Sequence, residues 1–164
     1  RALETFSGIR RRQEIHLETE HAVLIEDFAH HPTAVHETLS AVHEAWPDHR
    51  LIALFEPRSA SAHLKLFQKE YAGAFGPAQD VYMTEVYNKK KVPAREMLQV
   101  RSIVASLKKS RKNAVFAPDP AGLLKILQKD LKKIATEEKL AVVAMSNGSF
   151  GGIYEKLREM LRGR

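Results

Sequence analysis

Four short stretches of this 164-residue chain collect the residue types that hold anions and polar small molecules: Asp27-Phe-Ala-His-His-Pro32, Glu56-Pro-Arg-Ser59, Glu85–Lys91 and Ser146-Asn-Gly-Ser-Phe-Gly-Gly152. A carboxylate at Asp27 can accept two hydrogen bonds from a diol such as a ribose, or it can cap the turn before Pro32. His30 and His31 precede a helix start, where unsatisfied backbone N–H groups favour phosphate or carboxylate. A metal pair fits less well, because adjacent histidines do not share one helical face and no cysteine completes a ligand set; no metal site is expected. Arg12, in the run Arg10-Arg11-Arg12, and Arg58 each carry a guanidinium that can fork onto phosphate or carboxylate oxygens. Asn147-Gly148 and Gly151-Gly152 permit close backbone approach to a ligand. No G-x-x-x-x-G-K-[ST] motif occurs, so this chain has no phosphate-binding P-loop of its own.

These stretches must be placed by elements, and the hydropathy pattern supplies them. Arg12–Glu18 and Ala22–Glu26 read as a β-hairpin, and Pro32 opens a helix through Val35, Leu39, Val42 and Trp46. Leu51–Phe55, Val81–Val86, Ala114–Ala117 and Leu140–Ala144 are short apolar runs of the buried-strand type. Helical spacing links Leu64, Phe67, Tyr71 and Phe75, and a further helix is expected from Pro93 through Met97, Val100, Val104 and Leu107. Asp119 and Pro120 form an N-cap and first helical position for Leu123, Leu127, Leu131 and Ile134, and Ile153–Leu161 makes a last helix. Alternating strands and helices predict an α/β, Rossmann-like doubly wound fold: a mainly parallel sheet with helices on both faces and an N-terminal β-hairpin. Ligands of such sheets bind outside the carboxyl ends of the strands, and all four stretches fall there.

Composition limits the function. Hydrophobic residues make up 44% and charged residues 28%, as in ordinary globular domains, and cysteine is absent. A disulfide framework and a thiol nucleophile are thereby excluded. No apolar stretch approaches the ~20 residues of a membrane span and no secretory signal opens the chain, which predicts a cytoplasmic protein without a membrane partner. Charge is uneven: residues 1–82 carry a net −4 and residues 83–164 a net +10. A nucleic-acid-binding module is the alternative that this basic half suggests. Its lysine runs lack interleaved aromatics, however, and most fall at predicted helix ends, so no nucleic-acid partner is expected.

Taken in order, Gly8-Ile-Arg-Arg-Arg12-Gln-Glu14, Asp27-Phe-Ala-His-His-Pro32, Phe55-Glu-Pro-Arg-Ser59 and Met145-Ser-Asn-Gly-Ser-Phe-Gly-Gly152 resemble the C-terminal domain of the Mur ligase family. The resemblance implies residues 1–10 as interdomain linker and residues 11–164 as the domain, with UDP-sugar and ATPase domains upstream. It implies an ATP-dependent, ADP-forming amide ligase in which ATP and Mg²⁺ are bound mainly by the central domain, so that the isolated domain is inactive. The expected substrates are UDP-N-acetylmuramic acid and the tripeptide L-Ala-γ-D-Glu-meso-diaminopimelate, joined in peptidoglycan recycling. The Phe55–Ser59 stretch and the Ser146–Gly152 loop favour that tripeptide branch over the branch that adds L-alanine. The expected partners are the enzyme's own N-terminal and central domains. By position, Arg12, Asp27 and His30 would bind nucleotide. His31, Arg58, Ser59, Ser146, Asn147, Gly148 and Phe150 would hold the incoming substrate. The tripeptide branch often has Asn-Thr after Arg-Ser, where Ala60-Ser61 stands here.

Overall fold

A computed structural model describes residues 9–59, 61–91 and 93–163. Most of the expected linker 1–10, and Ala60, therefore lie outside the described residues. The chain runs β1 (Glu14–Glu18), β2 (Ala22–Asp27), α1 (Pro32–Ala45), β3 (Arg50–Phe55), α2 (Gln68–Ala74), β4 (Asp80–Thr84), α3 (Val100–Lys109), β5 (Asn113–Ala117), α4 (Pro120–Leu131), β6 (Leu140–Met145) and α5 (Tyr154–Arg162). The sheet order is β1-β2-β6-β3-β4-β5. Only β1 is antiparallel, joined to β2 by a turn in which Thr19 Oγ1 accepts from the Ala22 amide at 2.9 Å.

Strand composition explains the layering. The Ala22–Asp27 and Leu140–Met145 strands are buried at every position, and Leu51–Phe55 of β3 is too, as parallel strands covered on both sides require. Helices α1, α2 and α3 pack their apolar stripes on one face, against Val23, Ile25, Ala53, Phe55, Val81 and Met83. Helices α4 and α5 cover the other, against Leu24, Ile52, Leu54, Tyr82 and Val142. The chain steps from β2 to β5 with helices on the first face, then returns to insert β6. A right-handed return must cross the opposite face, and that is where α4 lies. The doubly wound, Rossmann-like expectation holds.

Four local expectations differ from what forms. β1 starts at Glu14 rather than Arg12, because Arg11 (φ 60°) and Gln13 (φ 49°) sit in the left-handed region and break the extended run. The spacing from Leu64 to Phe75 gives 3₁₀ turns at Ser61–His63 and Lys65–Phe67 before α2. The helix expected from Pro93 begins at Val100. Residues 96–98 instead pair with 63–65: Lys65 N donates to Glu96 O, and Leu98 N to His63 O, both at 2.7 Å. Those bonds occupy the backbone that a helix would use. Finally, α4 stops at Leu131, and Ile134 packs from the turn that follows. The Asp119 cap forms as expected, its Oδ1 accepting from the Gly122 amide at 2.7 Å.

At the amino edge of the sheet, buried Asp80 accepts from Arg50 Nε at 2.5 Å, Arg50 Nη2 at 3.1 Å and Asn113 Nδ2 at 2.6 Å, tying the starts of β3, β4 and β5. Ion pairing with Asp80 holds the Arg50 guanidinium charged. His63, buried where 63–65 meet 96–98, has no hydrogen-bond partner for Nε2 among the described residues, and burial lowers its pKa below 6.5. Such a histidine stays neutral when folded but takes a proton when unfolded, so its contribution to stability is present above pH 6.5 and lost as pH falls below it. We expect the urea midpoint of the domain to fall between pH 7 and pH 5, and His63→Gln to make that fall shallower. An unchanged pH slope in the variant would refute the assignment.

Candidate functional site

The loop after β3 leaves toward the α1–α3 face and the loop after the adjacent β6 toward the α4–α5 face, which opens a crevice at their carboxyl ends. Pro57 ends β3 and leaves Glu56 in the crevice, buried at 3% exposure. Ser146, fully buried, donates its hydroxyl to Glu56 Oε2 at 2.7 Å, and the Gly148 amide donates back to Ser146 Oγ at 3.0 Å. Arg58 Nη1 lies 3.6 Å from the same Glu56 oxygen. The Arg58 guanidinium stacks 3.8 Å from the Tyr87 ring centroid, and Tyr87 N donates to Pro57 O at 2.9 Å. Gly148 is needed here on contact grounds, because a Cβ on it would stand 2.1 Å from Arg58 Nε.

Arg11 grips the same loop from the opposite side. Its Nη2 donates to the carbonyls of Ser146 (2.9 Å) and Gly148, while Nε pairs with Glu26 at 2.8 Å. From the sequence, Arg12 and not Arg11 was the expected ligand-facing residue of this run. The available signal was the hairpin register, which sets Glu14 opposite Glu26 and so demands a nearby cation. His16 Nε2 donates to the other Glu26 oxygen (2.8 Å), and its ring stacks on Tyr154. Among the described residues, Glu14, His16 and Glu26 are one grouping with metal-ligand spacing. It does not fit Mg²⁺, an ion of octahedral oxygen sites, because the Arg11 guanidinium already neutralises the buried carboxylate.

Arg12 and Asp27 line a cavity of about 440 Å³ with Gln13, Glu37 and Thr38. Asp27 is 3% exposed and already accepts from the amides of Gln13 (2.9 Å) and Ala29 (2.7 Å) and from Thr38 Oγ1 (3.2 Å). Three of its four acceptor positions are thus taken, leaving room for one ligand hydroxyl rather than the two of a diol. Arg12 makes no ion pair among the described residues and lies 5.4 Å from the Phe28 ring. The two histidines diverge: His30 Nδ1 bonds Phe28 O at 3.0 Å, whereas His31, at the α1 N-cap without a side-chain cap bond, meets the Phe67 ring.

Of the remaining predicted contacts, Ser59 Oγ caps the next turn through the Ala62 amide at 3.0 Å. Phe150 is fully buried in the α4–α5 layer, so its ring anchors the loop from below. Asn147 reaches the crevice with its Oδ1 buried and unbonded among the described residues.

A second cavity, about 850 Å³, lies across the carboxyl ends of β3, β4 and β5 and was not expected from the sequence as a single site. Arg58 on Tyr87 forms one wall. Arg101, 3.8 Å from the Phe116 ring centroid, forms another. Lys89, Lys90 and the start of α4 complete it, and Pro120 there packs against Gly151, whose φ of +62° and lack of Cβ allow the contact. The sequence signal for this site was the Glu85–Lys91 stretch, of which residues 85–90 lie in its wall; Arg101 was not singled out from the sequence.

Comparison with known proteins agrees with this arrangement. The family described as Mur ligase, glutamate ligase domain, matches residues 11–148. A UDP-N-acetylmuramate–L-alanine ligase of Christiangramia forsetii is 32% identical over 165 residues, covering 98% of this chain and 33% of the relative. That of Desulforapulum autotrophicum is 30% identical over 160 residues, 98% of this chain and 34% of the relative. Among solved structures, a murein peptide ligase of Psychrobacter arcticus superposes with TM-score 0.73 at 26% identity, over 98% of this chain and 32% of that one. A single domain assigned to a UDP-N-acetylmuramate:L-alanyl-γ-D-glutamyl-meso-diaminopimelate ligase of Haemophilus ducreyi superposes with TM-score 0.68 at 26% identity, over 92% of this chain and 99% of that one. The chain spans about one third of the length of the curated relatives it matches. This chain belongs to the Mur ligase family and has the fold of that family's C-terminal domain.

Proposed function

We propose that this domain serves an ATP-dependent ligase that joins UDP-N-acetylmuramic acid to the tripeptide L-Ala-γ-D-Glu-meso-diaminopimelate. In that reaction the muramic acid carboxylate takes the γ-phosphoryl group of ATP, giving an acyl phosphate and ADP. The peptide amine then attacks the acyl carbon, and the tetrahedral adduct expels inorganic phosphate. This domain supplies positioning and charge, the main requirements of phosphoryl transfer. Arg12 reaches toward the ATP phosphates, Asp27 takes a ribose hydroxyl, and Arg58 with the Ser146–Gly148 backbone orients the incoming peptide. ATP phosphates and Mg²⁺ are held mainly by the enzyme's other domains.

The observation that carries the tripeptide over a single amino acid is the 850 Å³ cavity. It lies within the range of sites that enclose a drug-sized ligand, about 300–1,000 Å³. Four cations line it, Arg58, Lys89, Lys90 and Arg101. That suits a ligand with several carboxylates, whereas L-alanine offers one. The L-alanine reading is favoured by the curated relatives, which carry that name.

Four outcomes are expected. In the intact protein, phosphate release with UDP-N-acetylmuramic acid is at least ten-fold more efficient with the tripeptide than with L-alanine; the reverse preference would establish the L-alanine reading. The 164-residue chain alone turns over no ATP with either acceptor, and tripeptide-dependent turnover by it would show that nucleotide is bound here without a P-loop. Arg12→Ala in the intact protein lowers kcat/KM by at least ten-fold with an unchanged melting temperature. Asp27→Ala lowers both activity and stability, since Gln13, Ala29 and Thr38 lose their acceptor. Wild-type kinetics for Arg12→Ala would remove that contact.

A further inference from the structure

Resting on the peptide reading above, we infer that Arg101 is the specificity residue of this domain: held flat on Phe116 at the outer wall of the large cavity, it binds the carboxylate of the peptide farthest from the reacting amine. Apart from Lys90, which rests on no aromatic ring among the described residues, the other charges in the cavity are committed. Glu56 accepts from Ser146 and faces Arg58, Glu85 pairs with Lys89 at 3.4 Å, and Asp119 caps α4. Arg101 pairs with no carboxylate among the described residues. Its guanidinium lies over the Phe116 face, 3.8 Å from the ring centroid.

That contact determines what the guanidinium can do. Stacking uses the flat face of the group and leaves its in-plane N–H donors free in the fork that matches a carboxylate. It also restrains a long side chain before any ligand arrives, so less rotamer entropy is lost on binding. Arg58 is the inner counterpart. It too lies on an aromatic face, but its charge is shared with Glu56 and its stem is fixed against Gly148. A ligand with one carboxylate is satisfied by the inner cation. Only a longer ligand with a second carboxylate reaches Arg101. Beyond Arg101 the surface continues into a smaller cavity of about 380 Å³ along α3 and β5, and the Arg101 side chain forms the boundary between the two.

The test compares the intact protein with Arg101→Gln on two acceptors: the tripeptide, and the same tripeptide with its far diaminopimelate carboxylate amidated. Loss of a charge-assisted hydrogen bond corresponds to about 10- to 100-fold in kcat/KM. The native protein should prefer the free carboxylate by about that factor. Arg101→Gln should bring the two acceptors within about two-fold by raising KM for the free-acid peptide, with kcat, KM for the amidated peptide and melting temperature unchanged. Arg101→Lys should restore part of the preference. Retention of the native preference in Arg101→Gln overturns the assignment, as does a native protein that does not distinguish the acceptors; both leave the peptide reading standing. A native protein that takes L-alanine in preference to either peptide overturns both.

Discussion

The backbone of Ser146–Gly148 is held between two guanidinium groups, and the geometry of the candidate site depends on that clamp. Arg11 takes the carbonyls of residues 146 and 148 from the linker side, and Arg58 lies against Gly148 from the β3 side. Neither arginine would be stable there alone. Arg11 is balanced by buried Glu26, and Arg58 by Glu56, whose other contact is the Ser146 hydroxyl. Buried charges persist when paired and hydrogen-bonded, and here two carboxylates at the ends of the strands that flank β6 satisfy both requirements. The residues joined by the Arg11–Ser146 bond are 135 positions apart in sequence. The start of the domain and the loop after β6 are thus tied directly to each other.

Much of the fold was legible because its signals are local. Five helices and six strands follow from apolar period and from proline and aspartate at helix starts, and the doubly wound topology follows from handedness alone. Two of the departures, in the segments around Leu64 and Pro93, were places where a distant pairing outweighed a local pattern. The Pro93 helix lost its first turn to residues 63–65, an exchange no window of sequence around residue 93 contains. The spacing of Leu64 and Phe67 suits a helix equally well, yet the same pairing holds that stretch in 3₁₀ turns.

The site was legible as a place and less so as a set of roles. Sorting strand ends by the carboxyl-edge rule gathered Asp27, Arg58 and the glycine loop on one edge of the sheet; Arg58 and the loop meet there, whereas Asp27 lines a separate cavity on the other side of β6. Assigning their atoms required coordinates. Asp27 satisfies its own turn and keeps one free acceptor position, a fact hidden in the hydrogen bonds of Gln13 and Thr38. Phe150 lies in a glycine-rich loop, whose composition suggests exposure, but its ring is fully buried. Arg11 and Arg12 are indistinguishable as letters. They separate only because left-handed backbone at Arg11 turns its side chain inward, leaving Arg12 facing the Asp27 cavity.

The uneven charge of the chain acquires a spatial meaning from this arrangement. Part of the basic half is structural, since Lys112 donates to the carbonyls of Gly76 and Ala78 and Lys133 pairs with Asp130. Lys89, Lys90 and Arg101 instead contribute to the 850 Å³ cavity, while the Asp27 cavity is built from the acidic half. The two cavities lie on opposite sides of β6, one beside β2 and α1 and the other across β3, β4 and β5. On the proposed reading, nucleotide and acceptor approach the crevice from these two sides. A polyanionic acceptor drawn to the nucleotide side would meet both the acidic surface and the ATP phosphates, and like charges there are unfavourable. On that reading, Lys90 and Arg101, unpaired among the described residues and across β6 from the Asp27 cavity, would keep the acceptor's carboxylates away from the transferring phosphoryl group and leave its amine pointing back to the reaction.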